Sequence, residues 1–176
     1  MCSPEPRPLS AQSAIGSVLS WNQEAEDALI GAVLLTNTVL PALINEEGVR
    51  PQHFFLESHR LIWQAVMDMH TQGIHVDPIT LTAHMKASGT FKDLPKGRAD
   101  IDALTLGVPG VGGVRQYARI VIEAWVWRMR LRAVYELNDA IADQDEAAFA
   151  KACARLSDPR VKPSVEVDRP TLRSVA

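Results

Sequence analysis

The chain has 176 residues, 47% of them apolar and 22% charged, which is the composition of an ordinary globular protein and excludes wholesale disorder. That length holds one domain, or a compact head with an appendage. A formal net charge of -3 argues against a stand-alone nucleic-acid binder, which is usually basic.

Residues 1–19 carry Pro4, Pro6 and Pro8 and read as a flexible leader. Ser20 and Gln23 fit a capping box, and Glu24, Glu26 and Asp27 put negative charge where a helix dipole favours it. Ala25, Ala28, Leu29, Ala32 and Leu35 then share a face, with Gly31 read as a close helix contact. Asn37-Thr38 offers a cap for a second short helix that Gly48 ends. Pro51 to Leu56 reads as a turn that drops Phe54 and Phe55 into the core. A third helix from Ser58 carries Ile62, Ala65, Val66 and Met69 on one face and stops at Gly73. Asp77-Pro78 is a strong start signal for a fourth, since Asp caps and Pro is tolerated at the first helical position. That helix presents Ile79, Thr82, Ala83 and Met85 before Gly89 breaks it.

Residues 90–98 form a polar loop, followed by a short helix from Ala99 to Leu106. Val108-Pro109-Gly110-Val111-Gly112-Gly113 is dense in breakers and predicts a hinge at 108–113. The longest helical pattern runs from Val114 to about Ala142, with Ile120, Ala124, Trp127, Leu131, Val134 and Ile141 at steps of three or four. Asp143-Gln144-Asp145 offers caps for a last helix, Glu146 to Leu156, and the two predict an antiparallel hairpin over 114–158. Residues 159–176 read as a flexible tail. No convincing alternating strand occurs, so the fold class is all-α: a small helical globular head over 20–107, the hinge, and a long helical hairpin.

Chemistry is hard to find in this chain. The five histidines lack the i, i+4 spacing of a helical metal site, and His59, at a helix start, reads as a structural contact. Cys2 and Cys153 have no metal-ligand neighbour at useful spacing. Gly107 to Gly113 lacks the Lys-Ser/Thr of a P-loop, and no fingerprint of a dinucleotide fold is present. No G-x-S-x-G, activated thiol or paired acid emerges, so catalytic, cofactor-binding and metal residues are all expected to be none. Neither a signal peptide nor a run of the ~18–20 apolar residues that span a bilayer is seen, which predicts a cytoplasmic protein without membrane partners.

One cluster stands out. Arg115, Arg119, Arg128, Arg130 and Arg132 fall within 18 residues, with Trp125 and Trp127 among them. Three readings stay open: solvated arginines pairing with Glu136, Asp139, Asp143 and Glu146, a protein interface, or contact with a nucleic-acid backbone or stacked bases. Positions two apart on a helix diverge by ~200°, so one of the two tryptophans is free to face a partner. The interface candidates are Trp125, Trp127, Arg128, Leu131 and Tyr135. The nucleic-acid candidates are Arg115, Arg119, Arg130 and Arg132.

The ordered set of landmarks resembles a known family. It comprises Glu24-Ala25-Glu26, Gly31-Ala32-Val33-Leu34-Leu35, Phe54-Phe55, His59-Arg60-Leu61-Ile62, Gly73-Ile74-His75-Val76-Asp77, Pro78-Ile79-Thr80-Leu81 and Gly89. Pro109, Tyr117-Ala118-Arg119-Ile120-Val121 and Arg128 complete it. The chain resembles the N-terminal domain of bacterial replicative DNA helicases of the DnaB type. The resemblance departs at Lys96-Gly97 and Ile101 to Leu104, where the family has Gly-Gly and an aromatic-Leu segment, and at Gly110, Gly112 and Gly113, where it has polar residues.

The resemblance implies a helical head followed by a helical hairpin. It implies a non-catalytic module that pairs through the hairpin into a dimer or higher homo-oligomer and forms a collar on a hexameric ring. It also implies a surface for helicase subunits, primase or a helicase loader in the primosome, with DNA contacted weakly or indirectly. In a complete helicase the ATPase motor is a separate C-terminal RecA-like domain with a P-loop, before which this chain ends. ATP and magnesium belong to that motor, and no cofactor is expected here. The competing expectations are a small helical regulator or nucleic-acid-binding protein using helix 115–132, and an enzyme of unrecognised type.

Overall fold

The structure, a computed structural model, describes residues 21–157. The described residues form seven α-helices and no strand: α1 (Gln23–Leu35), α2 (Leu40–Asn45), α3 (Glu57–Thr71), α4 (Pro78–Ala87), α5 (Arg98–Leu106), α6 (Val114–Ala142) and α7 (Glu146–Leu156). Short 3-10 turns occupy Asn37–Val39, Pro51–His53, Thr90–Asp93 and Val111–Gly113. The predicted leader (1–19), Ser20 and the tail (159–176) lie outside the described residues.

Local chemistry sets most boundaries. The cap of α1 is Asn22, two positions after the predicted Ser20, and its side chain accepts from the Ala25 N–H at 2.9 Å. Asp77 caps α4 by accepting from the Ile79 and Thr80 N–H groups at 2.7 and 2.9 Å. The Thr80 hydroxyl returns the favour to the Asp77 N–H at 3.0 Å, so two free donors are satisfied together. Helix α3 stops in a Schellman arrangement: Ile74 N–H donates to the Met69 carbonyl and Gly73 N–H to that of His70, with Gly73 at φ 68.

Four expectations shift. Asn37 caps nothing: its side chain accepts from the Val76 N–H at 2.7 Å and donates to the Val76 carbonyl, tying two segments 39 residues apart. Phe54 is fully buried but Phe55 only half, beneath Trp21 and Arg128. Leu35 and Ile79, placed on apolar faces from sequence, are 57% and 71% exposed. The 90–98 loop contains a 3-10 turn and a buried Leu94.

The core of the head gathers Leu29, Ile30 and Val33 of α1, Ile62, Trp63 and Val66 of α3, Leu81 and Met85 of α4, and Ile101 of α5. Helices α1 and α5 approach so closely that a Cβ at Gly31 would lie 2.0 Å from the Leu104 carbonyl oxygen. Val114, Ala118 and Val121 of α6 enter the same core. For that reason the chain divides after Arg128, not at the Gly-rich stretch 108–113: one compact unit runs to Arg128 and the other starts at Met129. In the second unit α7 turns back so that Arg155 pairs with Glu136. The Asp145 side chain caps α7 at the Ala148 N–H. Only Ala133, Ala140 and Ala152 are buried among residues 129–157. No single helix among the described residues is long and apolar enough to cross a membrane.

Candidate protein interface

Helix α6 carries most of the residues singled out from sequence, and the structure disperses them. Arg128 is 8% exposed and turned inward, its Nη2 donating to the His53 carbonyl at 2.7 Å and its guanidinium lying 5.5 Å from the centre of the Phe55 ring. It is an anchor for α6 within the head, which corrects its place among exposed contacts. Trp125 is half-buried against the His53 ring, with centroids 4.7 Å apart. Trp127 points away and is 50% exposed. Leu131 and Tyr135 are half-buried.

Arg115, Arg119 and Arg128 pair with the head. Arg115 meets Glu46 at 2.7 Å and Glu47 at 3.5 Å, and Arg119 meets Glu47 at 3.4 Å. The hydrogen bond to Glu46, and after it the Glu46 and Glu47 charges, raise the pKa of Arg115 above its ordinary value. Of the acids predicted to pair with this cluster, Glu136 instead takes Arg155 from α7. Arg130 is half-buried and Arg132 exposed.

Beneath α6 lies a polar cluster that sequence reasoning missed. Glu26, 2% exposed, accepts from the Phe55 N–H at 2.7 Å and from His59 Nδ1 at 2.8 Å. His59 Nε2 lies 3.2 Å from Asp27. With a carboxylate against each ring nitrogen, both must carry protons, so His59 is an imidazolium. Burial alone would lower its pKa, but the hydrogen bonds to Asp27 and Glu26 outweigh it and raise it to about 8. His53 behaves in the opposite way. Burial first, then the charges of Arg50 and Arg128, lower it to about 4, and its neutral Nδ1 accepts from the Arg50 N–H.

Two arginines complete the cluster by satisfying three successive carbonyls. Arg128 takes that of His53, while Arg60 takes those of Phe54 at 2.8 Å and Phe55 at 3.2 Å. The 53–55 segment is thus held by charged side chains from α1, α3 and α6, where no regular secondary structure would hold it. One signal was present in the sequence: Glu26 shares a helical face with Leu29, Ile30 and Val33, and an acid there is buried and needs partners. No group of three or more His, Cys, Asp or Glu side chains among the described residues is arranged to hold a metal ion.

The second unit turns its larger apolar side chains outward. Ala133 and Ala140 are buried, while Val134 is 52% and Ile141 61% exposed. Val134 and Ile141 stand seven residues apart on α6, so they lie on one stripe that drifts by only ~20° between them. That is the pattern of a helix offering an apolar seam.

Residues 18–123 match the profile of the DnaB-like helicase N-terminal domain. The chain belongs to that family. It is 31% identical over 125 residues to the replicative DNA helicase DnaB of Treponema pallidum, and 34% identical over 125 residues to that of Geobacillus stearothermophilus. These matches cover 71% and 70% of this chain but 28% and 27% of the two helicases, so the chain spans less than a third of the relatives it resembles. Its fold is similar to the crystal structure of the N-terminal domain of DnaB helicase from Mycobacterium tuberculosis, with a TM-score of 0.71 at 22% identity over 78% of this chain and 97% of that one. It also resembles a DnaB-like replicative helicase whose structure was described with its interactions with primase, with a TM-score of 0.59 at 21% identity over 82% of this chain and 32% of that one. The all-α class and the family resemblance read from sequence are both borne out by these matches.

Proposed function

We propose that this DnaB-like N-terminal domain is a non-catalytic assembly and partner-docking module of DNA replication. It works in the cytoplasm, self-associates as a helicase collar does, and contacts helicase subunits, primase or a loader. The observation that carries the reading is the outward stripe of the second unit, in which Val134 and Ile141 stay exposed while Ala133, Ala140 and Ala152 are buried. A helix in a finished monomer buries its large apolar side chains and exposes small or polar ones. Here the order is reversed. The named interaction of a structural relative with primase supports the docking half of the proposal.

On this reading the chain hydrolyses no ATP and unwinds no DNA, and ATP and magnesium serve a separate motor domain. The nucleic-acid alternative has less support, because Arg128 is committed to the His53 carbonyl and Arg115 and Arg119 to Glu46 and Glu47. Light scattering coupled to size exclusion, run at several concentrations, tests the proposal. A dimer or larger species is expected, at ~800 Å² buried per partner. Replacing Trp127 and Leu131 together with Ala is expected to weaken it while the helical signal stays intact. A strict monomer at high concentration would overturn the assembly reading.

A further inference from the structure

The turn of the hairpin has a chemistry of its own. Ala140 and Ile141 of α6, the turn residues Gln144 and Asp145, and Glu146 and Phe149 of α7 line an open pocket of about 260 Å³. Ala140, Ile141 and Phe149 give the lining an apolar part, in which Ile141 is 61% exposed and Phe149 half-buried. Its surroundings are acidic. From Ala133 to Ala150 the chain carries Glu136, Asp139, Asp143, Asp145 and Glu146 and not one lysine or arginine. Asp139, Asp143, Asp145 and Glu146 are exposed. Glu136 is neutralised by Arg155 and Asp145 spends one oxygen on its cap, so the exposed carboxylates of Asp139, Asp143 and Glu146 make up the rest of the acidic rim.

From the apolar side chains of Ala140, Ile141 and Phe149 set among exposed carboxylates we infer that the hairpin turn docks a basic amphipathic segment of a partner protein, one large apolar side chain entering the pocket while its lysines and arginines meet Asp139, Asp143 and Glu146. The inference rests on the docking reading above and names the chemistry of one partner. Phosphate-bearing ligands are repelled by the rim, so neither nucleic acid nor an anionic membrane fits. The volume falls below the ~300–1,000 Å³ of small-molecule sites and suits a single anchoring side chain. Exposed carboxylates add encounter rate and partner choice, while the apolar anchor supplies most of the affinity.

Fluorescence anisotropy on the full chain tests this with three labelled peptides of equal length: a helical Lys/Leu amphipath, its Glu/Leu counterpart, and a Lys/Ser peptide without apolar residues. The Lys/Leu peptide is expected to bind at least tenfold tighter than either control, and more weakly as salt rises. Reversing two exposed charges, Asp143→Lys with Glu146→Lys, is expected to lower its affinity about tenfold. Phe149→Ala is expected to do the same through the pocket lining. Amide shifts should map to residues 139–149. Equal affinity for the Glu/Leu peptide, shifts confined to other residues, or undiminished binding by the charge-reversed chain would each overturn the inference. Light scattering on the same samples separates the two proposals: lost peptide binding with an intact oligomer removes only this one, and a monomer removes the collar reading.

Discussion

His59 shows how much depends on one side chain in the head. Its two ring nitrogens are held between Glu26 and Asp27, so the fold binds a proton that the unfolded chain gives up near pH 6.5. A histidine pKa raised to about 8 contributes stability that is fully present below pH 6.5 and lost as pH climbs through 8. The shift corresponds to roughly 2 kcal/mol, at ~1.4 kcal/mol per pH unit. His53, lowered to about 4, acts in the other direction: its contribution is complete above pH 6.5 and lost as pH falls towards 4. Urea midpoints should therefore fall between pH 6.5 and 9 for the parent chain, and His59→Gln should remove most of that slope. An unchanged slope in the variant would place the proton elsewhere. Gly31 offers a second test of the same scale. A methyl there meets the Leu104 carbonyl oxygen and Val108 Cγ2, at 2.0 and 2.5 Å, and one of the two is backbone. Gly31→Ala should cost about 1–3 kcal/mol in chemical denaturation, the range of overpacked cores. A neutral effect would mean that α1 and α5 separate freely.

Among the elements, those bounded by local chemistry were legible from the chain and those fixed from a distance were not. The Asp77-Pro78 start, the Gly73 stop and the span of α6 each follow from residues within one turn of the boundary. The joint after α1 does not. Asn37 looked like a cap, yet its amide pairs with both backbone groups of Val76 in a contact across 39 residues that no local pattern announces. Val76 is fully buried, so Asn37→Ala strands a donor and an acceptor there and should cost about 1–3 kcal/mol. Asn37→Asp keeps the acceptor and should recover part of that loss. A recovery of nothing would show that the donor half carries the joint. The face of α6 was misread for another reason. The segment 114–142 has apolar residues on every side, so periodicity cannot choose a face. Packing chose Val114, Ala118, Val121, Val126, Ala133 and Ala140, which are small or β-branched and allow close approach. Trp127, Val134 and Ile141, which the sequence pattern put in the same stripe as Ile120 and Leu131, were left 50%, 52% and 61% exposed. The exposed seam was therefore visible in the sequence as residues but not as a surface.

At the scale of the whole chain, the two compact units hold very different amounts of buried apolar surface. The unit up to Arg128 encloses Trp63, Phe54, Leu29, Ile62, Met85 and many others, while described residues 129–157 bury three alanines. At ~25 cal/mol per Å² of apolar area, three methyl-bearing side chains supply little against the entropy of ordering a helical turn and return. Amide hydrogen exchange should accordingly fall into two classes along a single helix. Amides of α6 before Arg128 should exchange with the slow head, and those after Met129 with the faster hairpin. Dilution then separates intrinsic instability from assembly. If the outward stripe is a seam, protection at 131–141 should rise with protein concentration, because anything that binds the folded form adds stability by mass action. Protection in the head should not change. Uniform slow exchange from Val114 to Ala142 at every concentration would sink both expectations, since the hairpin would then be stable without any partner and its exposed Val134 and Ile141 would need another explanation.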